Sequence, residues 1–224
     1  MMQSINWFPL YLSFRVAFTA TLVSLFIGLP LAYFLSKGHS KMTDLLDTLT
    51  NLPVVLPPTV LGYYLLVLFG RQSLIGLFLE KHFNTMIIFT PTGAIIASTV
   101  VAIPYLIKSS KTAFLEINED YLNAARLLGR NELSIFCTIV VPIAWRGIVA
   151  GLTMTFVRAL GDFGTTLMVA GSIPNKTMTM PIAIYDALQA GNKDLANLLV
   201  IIMTSIAIVV LFTINLLERK MKRG

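Results

Sequence analysis

Five apolar runs separated by polar breaks organise this chain. They cover residues 11–35, 52–69, 86–107, 143–169 and 195–217. Each approaches or exceeds the ~20 residues that a helix needs to cross the hydrocarbon core of a bilayer. No water reaches that depth, so the backbone must satisfy its own hydrogen bonds, which predicts helices rather than isolated strands. The pattern therefore predicts an all-α integral membrane protein with about five transmembrane helices in a single domain, 1–224. Arg158 and Asp162 interrupt the fourth run near its end, which makes it the weakest of the five. Between the third and fourth runs lies a long polar interval, 108–142, and a chain this apolar has little reason to keep it unless something outside the membrane reads it.

Composition supports the membrane reading. Of 224 residues, 56% are hydrophobic and 12% charged, with a mean hydropathy of +0.78. Soluble domains carry about 25% charged residues, so a very apolar soluble core is the weaker alternative. The single cysteine, Cys137, excludes an intrachain disulfide and a cysteine metal cluster. Its apolar neighbours Phe136 and Ile139 predict a buried, inert thiol. His39 and His82 are expected in loops on opposite sides, so no metal site and no cofactor is expected. Residues 1–10 lack a basic residue and the first apolar run exceeds a signal-peptide core, so a spanning helix is expected there rather than a cleaved leader.

Lys and Arg set the expected orientation. Lys37 and Lys41 follow the first run, Lys108, Lys111, Arg126 and Arg130 the third, and Arg219, Lys220, Lys222 and Arg223 the fifth. Arg71, Lys81, Lys176 and Lys193 lie on the other side. This bias predicts a multi-pass protein of the cell (inner) membrane with its N-terminus outside and its C-terminus and the segment 108–142 in the cytoplasm. The net charge of +6 is thus topological. With no basic stripe interleaved with aromatics, nucleic-acid binding is not expected.

Within the polar interval, residues 116–128 read as a short helix. Glu119 and Asp120 lie in its first half and Arg126 near its end, as the helix dipole favours. Gly129 suits the left-handed residue that stops a helix. Tyr121, Ala124, Ala125 and Leu128 recur at helical spacing and give an apolar face that could enter a partner's groove. A helix lying on lipid headgroups is the alternative.

Asn123-Ala124-Ala125, Gly129 after three residues, and Ile139-Val140-Val141-Pro142 after nine more resemble the EAA signature of permease subunits of binding-protein-dependent ABC importers. That signature reads Glu-Ala-Ala, three residues, Gly, nine residues, Ile-x-Leu-Pro. Asn123 replaces its Glu and Val141 its Leu, so an ion pair made by that Glu does not carry over. Further stretches resemble the molybdate permeases within the molybdate, tungstate and sulfate group. These are Leu29-Pro30-Leu31-Ala32-Tyr33, Asn51 to Tyr63 with Pro53, Pro57 and Pro58, Arg158 to Thr166, and Ser172 to Thr177 with Met180-Pro181. Asp162 stands where such permeases usually have Glu. The likeness covers about Phe14 to Asn197.

The resemblance implies a MetI-like permease fold, a homodimer with the pathway at its interface, two cytoplasmic ATPase subunits and an external oxyanion-binding protein. It implies ATPase docking through Glu119, Asp120, Asn123, Ala124, Ala125, Leu128 and Gly129, with Ile139 and Pro142 joining the docked helix to the spans. The permease itself would perform no covalent step; no GxxxxGK[ST] phosphate loop occurs in it.

Pro57, Pro58 and Thr59 are expected either to shape the pathway near its cytoplasmic end or simply to end a helix, the latter being the simpler reading for Pro53. Arg158 and Asp162 stand four residues apart and can pair. They either serve the anion at the outer mouth or form a structural ion pair. Ser172, Asn175, Lys176 and Thr177 lie in an outer loop expected to meet the binding protein, or to be only solvated. A stand-alone channel or secondary carrier and a membrane-embedded enzyme are competing classes. The first would need coupling sites near the midplane, the second a convergent set of Asp, His, Ser or Glu inside the spans. Only the proline breaks fit the carrier, and nothing fits the enzyme.

Overall fold

The computed structural model describes residues 6–38 and 40–223, the side chains of 214, 215 and 217–223 excepted. His39, considered as a metal ligand, and the side chains of Arg219, Lys220, Lys222 and Arg223, invoked for topology, lie outside the described residues. The regular structure of the described residues is all helical: α1 (Phe8–Lys37), α2 (Lys41–Val55), α3 (Pro58–Phe69), α4 (Leu74–Phe83), α5 (Pro91–Leu115), α6 (Glu119–Leu127), α7 (Glu132–Ile135), a π-helical stretch (Phe136–Val140), α8 (Val141–Leu160), α9 (Gly164–Ala170), α10 (Met180–Gln189) and α11 (Lys193–Arg223). Among the described residues, four helical segments are long and apolar enough to cross a membrane: Phe8–Lys37, Pro91–Leu115, Glu132–Leu160 and Lys193–Thr213. The bent pair α2–α3 makes a fifth candidate.

The centre is a three-helix stack of α1, α5 and α8, packed through small residues. Between apolar helices in lipid there is little hydrophobic driving force, so close backbone approach and interhelical hydrogen bonds do the holding. Ala17, Ala20 and Ala102 are fully buried at α1–α5–α8 contacts. A Cβ on Gly28 would lie 3.1 Å from Ile103, and one on Gly151 3.0 Å from Ser109. Ser109 donates to the Gly147 carbonyl at 2.8 Å and Thr155 to the Ala102 carbonyl at 3.4 Å, tying α5 to α8. At the other end of α1, Ser13 accepts from the Met180 amide at 2.8 Å and so holds the start of α10.

The spans differ from the apolar runs where local chemistry overrides hydropathy. The third begins at Pro91, not residue 86, because Thr90 caps it through the Gly93 amide and proline suits a first helical turn. Ile88 is instead in a turn, packed on Leu65, Ala97 and Val169. The second run, 52–69, is not one straight helix: α2 and α3 meet at a 116° bend at Leu56–Pro57. The fourth run, 143–169, is interrupted at Gly161–Phe163, after which α9 resumes. The polar interval is also less separate than its composition suggests, since Lys108 to Leu115 continue α5.

Candidate functional site

The expected docking helix is α6, shorter than residues 116–128. Asn118 sets its start by accepting from the Asp120 amide at 2.9 Å. Glu119 and Asp120 occupy its first turn, exposed. Gly129, at φ 75°, ends it in the left-handed conformation, and Arg130 N bonds back to the Ala125 carbonyl at 3.1 Å. The expected apolar face divides in two. Ala125, together with Leu122, turns inward into a cluster with Ala32 and Leu35 of α1 and Leu106, Ile107 and Phe114 of α5. Tyr121, Asn123, Ala124 and Leu128 face out, joined by Leu127 at 90% exposure. Ala125 is therefore an anchor to the chain's own body, not part of an outward surface.

Asn123 is engaged within the chain: its Oδ1 accepts from Arg126 Nη1 at 2.8 Å. Arg126 Nε also donates to Glu132 Oε1 at 2.8 Å. Glu132 Oε2 pairs with Lys37 at the end of α1 and accepts from the Tyr33 hydroxyl at 3.4 Å. The Lys37 ammonium lies 4.2 Å from the centroid of the Tyr33 ring. Glu132 opens α7, ahead of the apolar stretch, where the helix dipole also favours an anion. The Arg126 and Lys37 hydrogen bonds hold its carboxyl well below the ordinary 4.5, at about 2. The signature spacing does not single out Glu132. Asn131-Glu132-Leu133-Ser134 does signal a capped helix start, and Asn131 accepts from the Ser134 amide at 2.7 Å.

Beyond α7, Ile139 is half-buried and Pro142 exposed. Proline at 142 has no N–H to donate and its ring crowds the carbonyl four residues back. The turn ahead of it widens into a π-helix, with Val141 N bonded to the Phe136 carbonyl. Helix α7 thus runs into α8 through a widened turn. Cys137 is exposed, contrary to the buried thiol expected from its neighbours, because it shares this turn with the inward-facing Val140 on another face.

The residues expected along the pathway meet at one level. Thr165 donates to the Pro58 carbonyl at 3.3 Å, and a Cβ on Gly164 would sit 2.9 Å from Pro58 Cβ. The break at Pro57–Pro58 therefore packs on the break at Gly161–Phe163. This corrects the expectation that Pro57, Pro58 and Thr59 lie at the cytoplasmic end while Arg158 and Asp162 lie at the outer mouth. The twelve residues of α3, about 18 Å long, separate Pro58 from the loop at Arg71. Pro57, Pro58 and Thr59 are exposed.

Asp162 is 3% exposed. Its Oδ2 accepts from the Thr166 amide at 3.0 Å and the Thr166 hydroxyl at 2.7 Å, and Thr166 lies 3.3 Å from Ser98 on α5. Arg158 Nη1 stands 3.5 Å from the other oxygen, Oδ1. These partners make Asp162 the post that fixes α9 after the break, with Arg158 balancing its charge.

In the loop after α9, Asn175 (φ 57°) and Lys176 are exposed and Ser172 is half-buried. Ser172 hydrogen-bonds Asp186, and Asn6 donates to Asn175 at 2.9 Å. Thr177 is wholly buried: it accepts from the Ile173 amide at 3.0 Å and donates to the Gly171 carbonyl at 3.1 Å. It braces the loop and has no surface to offer a partner. Among the described residues no group of His, Cys, Asp or Glu could hold a metal ion.

Comparison with known proteins agrees with this architecture. The putative molybdenum transport system permease protein YvgM of Bacillus subtilis (strain 168) is 42% identical over 207 residues, covering 92% of this chain and 91% of its own. The molybdenum transport system permease protein ModB of Escherichia coli (strain K12) is 35% identical over 215 residues, covering 96% and 94%. Among solved structures, an inward-facing form of the MetNI methionine ABC transporter superposes with a TM-score of 0.74 at 19% identity, covering 98% of this chain and 99% of that one. A bacterial ABC transporter that imports the acidic polysaccharide alginate superposes at 0.71 with 16% identity, covering 97% and 80%. Residues 24–223 match the model of the binding-protein-dependent transport system inner membrane component family, and the chain belongs to that family.

Proposed function

We propose that the chain is the membrane-spanning subunit of an ATP-driven importer that translocates molybdate delivered by an external binding protein. Two copies form the pathway at their interface, two cytoplasmic ATPase subunits bind α6, and the N-terminus lies outside. ATP hydrolysis belongs to the ATPase chains. The observation that carries this reading is the combination of α6 with its relatives: a short capped helix turns Leu122 and Ala125 inward and Tyr121, Ala124, Leu127 and Leu128 outward, in a chain 42% identical to a putative molybdenum permease.

The outward face of α6 offers two leucines, one 90% and one 83% exposed, beside small Ala124. Apolar knobs of this kind fit a groove on a partner protein. ATP-driven closure of the ATPase pair moves both docked helices. Each helix carries the motion through the cluster it shares with α1 and α5, and the pathway switches between inward-open and outward-open states. Each state is favoured by a different ligand, as coupling requires.

Pro57, Pro58 and Thr59 line the pathway from the exposed side of the double break. The Arg158–Asp162 pair supports that break. Ser172, Asn175 and Lys176 meet the binding protein at the outer surface. Deleting residues 172–177 should abolish stimulation of ATPase activity by the binding protein; unchanged stimulation would remove the loop from the interface. The test of the docking reading is co-purification: Leu128→Asp should lose the ATPase subunits while the permease stays folded, and full retention would sink it.

A further inference from the structure

We propose that Glu132 is a positioning residue that clasps the docking helix to the cytoplasmic end of α1, so that motion of α6 reaches two spans at once. The proposal rests on the docking reading above. Glu132 joins three elements: it accepts from Arg126 of α6 at 2.8 Å, pairs with Lys37 of α1, and itself opens α7, which runs into α8. Arg126 reaches back to Asn123 at 2.8 Å, so the clasp grips α6 at two positions one turn apart.

Beneath the charges lies an aromatic layer from three elements. Tyr33 of α1 packs edge-on to Phe114 of α5 at 5.8 Å and against Phe136 of the π-helical stretch at 4.8 Å. Phe114 and Phe136 meet at 6.2 Å. The apolar contacts hold these elements together, and the charged layer above them fixes their relative angle. Half-exposed ion pairs contribute little to stability, so a role in bulk stability is not what this cluster supplies. It supplies direction: two charged partners on opposite sides of one carboxylate allow little rotation of α6 about the α1 end. The chain lacks a carboxylate at 123, and the half-exposed one at 132 is held by partners on its own helices.

The assembled transporter, permease with its ATPase subunits and binding protein in proteoliposomes, tests the clasp with molybdate as the transported probe. The readouts are molybdate moved per ATP hydrolysed, ATPase subunits retained, and melting temperature. In Glu132→Gln and in Lys37→Met the subunits stay bound and the melting temperature changes little, while molybdate per ATP falls about fivefold or more. The double variant falls no further than the worse single, because both break one clasp. The proposal is overturned if molybdate per ATP stays within about twofold of the parent, if the two losses multiply in the double variant, or if Glu132→Gln releases the ATPase subunits, which would make Glu132 a direct contact. If Glu132→Gln does not fold, Lys37→Met decides by the same readouts. Failure of the docking reading is separate and visible: Leu128→Asp would then keep its ATPase subunits.

Discussion

Thr165 donates a hydrogen bond of 3.3 Å to the carbonyl of Pro58, and through it the two interrupted spans of the molecule are joined at their breaks. Proline at 57 and 58 leaves backbone groups of α2 without helical partners, and at membrane depth such groups need protein partners. The Thr165 hydroxyl reaches across the bend to the first carbonyl of α3, that of Pro58. Gly164 allows α9 to come this close, since any Cβ there would press on Pro58 at 2.9 Å.

The same closeness governs α3 and α9 one turn further on. A Cβ on Gly62 would lie 2.5 Å from Met168 Cβ and 2.9 Å from its Cγ, which cannot swing away as a chain end could. Gly62→Ala should destabilise the detergent-solubilised protein by about 1–3 kcal/mol, read as a lower melting temperature. An unchanged melting temperature would mean that α3 and α9 are not packed as described.

Asp162 and Arg158 give a graded series. Asp162→Ala removes the acceptor for two Thr166 donors and leaves the half-buried Arg158 without its counter-charge. A loss of about 1–3 kcal/mol is expected for orphaning the buried Thr166 donors, read as a lower melting temperature. Asp162→Asn keeps an acceptor and should cost less. Equal losses for the two would show that charge balance, not the hydrogen bonds to Thr166, dominates. Arg158→Gln with full molybdate uptake and normal expression would end any direct role for Arg158 in transport.

Gly129 has a positive φ of 75° and open space around its α-carbon, so a substitution meets a conformational cost and no clash. Gly129→Asn should bind ATPase subunits nearly as the parent does, because Asn tolerates this region. Gly129→Val should lose about 1–2 kcal/mol at the turn and retain less ATPase in co-purification. Equal retention would place the end of α6 outside the docking surface.

The Glu132 carboxyl has a sign that can be followed with pH. Its folded value, about 2, lies below the ordinary 4.5, so the clasp's contribution is fully present above 4.5 and is lost only as pH falls through about 2. The side chain is 55% exposed, so the contribution is below about 1 kcal/mol. The melting-temperature difference between parent and Glu132→Gln should stay constant from about pH 6 to pH 8. A difference that shrinks across that window would show a carboxyl that is not held ionised.

Hydropathy alone makes the membrane class and the polar interval legible; of its five runs, four are matched by helices long enough to cross a membrane and the fifth by the bent pair α2–α3. The signature spacing from Asn123 to Pro142 likewise locates α6 and its glycine stop. Other features escape the sequence for physical reasons. Arg158 and Asp162 mark the break at Gly161–Phe163 in the sequence, but nothing there shows that a separate helix, α9, resumes after it. The inward turn of Ala125 depends on where α1 and α5 stand, which the helical spacing of α6 alone does not fix. Thr177 reads as a polar loop residue, yet its hydroxyl is consumed by backbone groups of its own turn. Glu132 escapes because its partner Lys37 is 95 residues away in sequence.

The most direct test is uptake of radiolabelled molybdate by proteoliposomes holding this permease with its cognate ATPase subunits and binding protein, with tungstate and sulfate as competitors. The account predicts uptake that requires ATP and the binding protein, disappears in Leu128→Asp, and is not displaced by sulfate at equal concentration. Uptake by the permease alone, without ATPase subunits, would contradict it and favour a stand-alone carrier; preferential uptake of sulfate or tungstate would move the substrate to that anion.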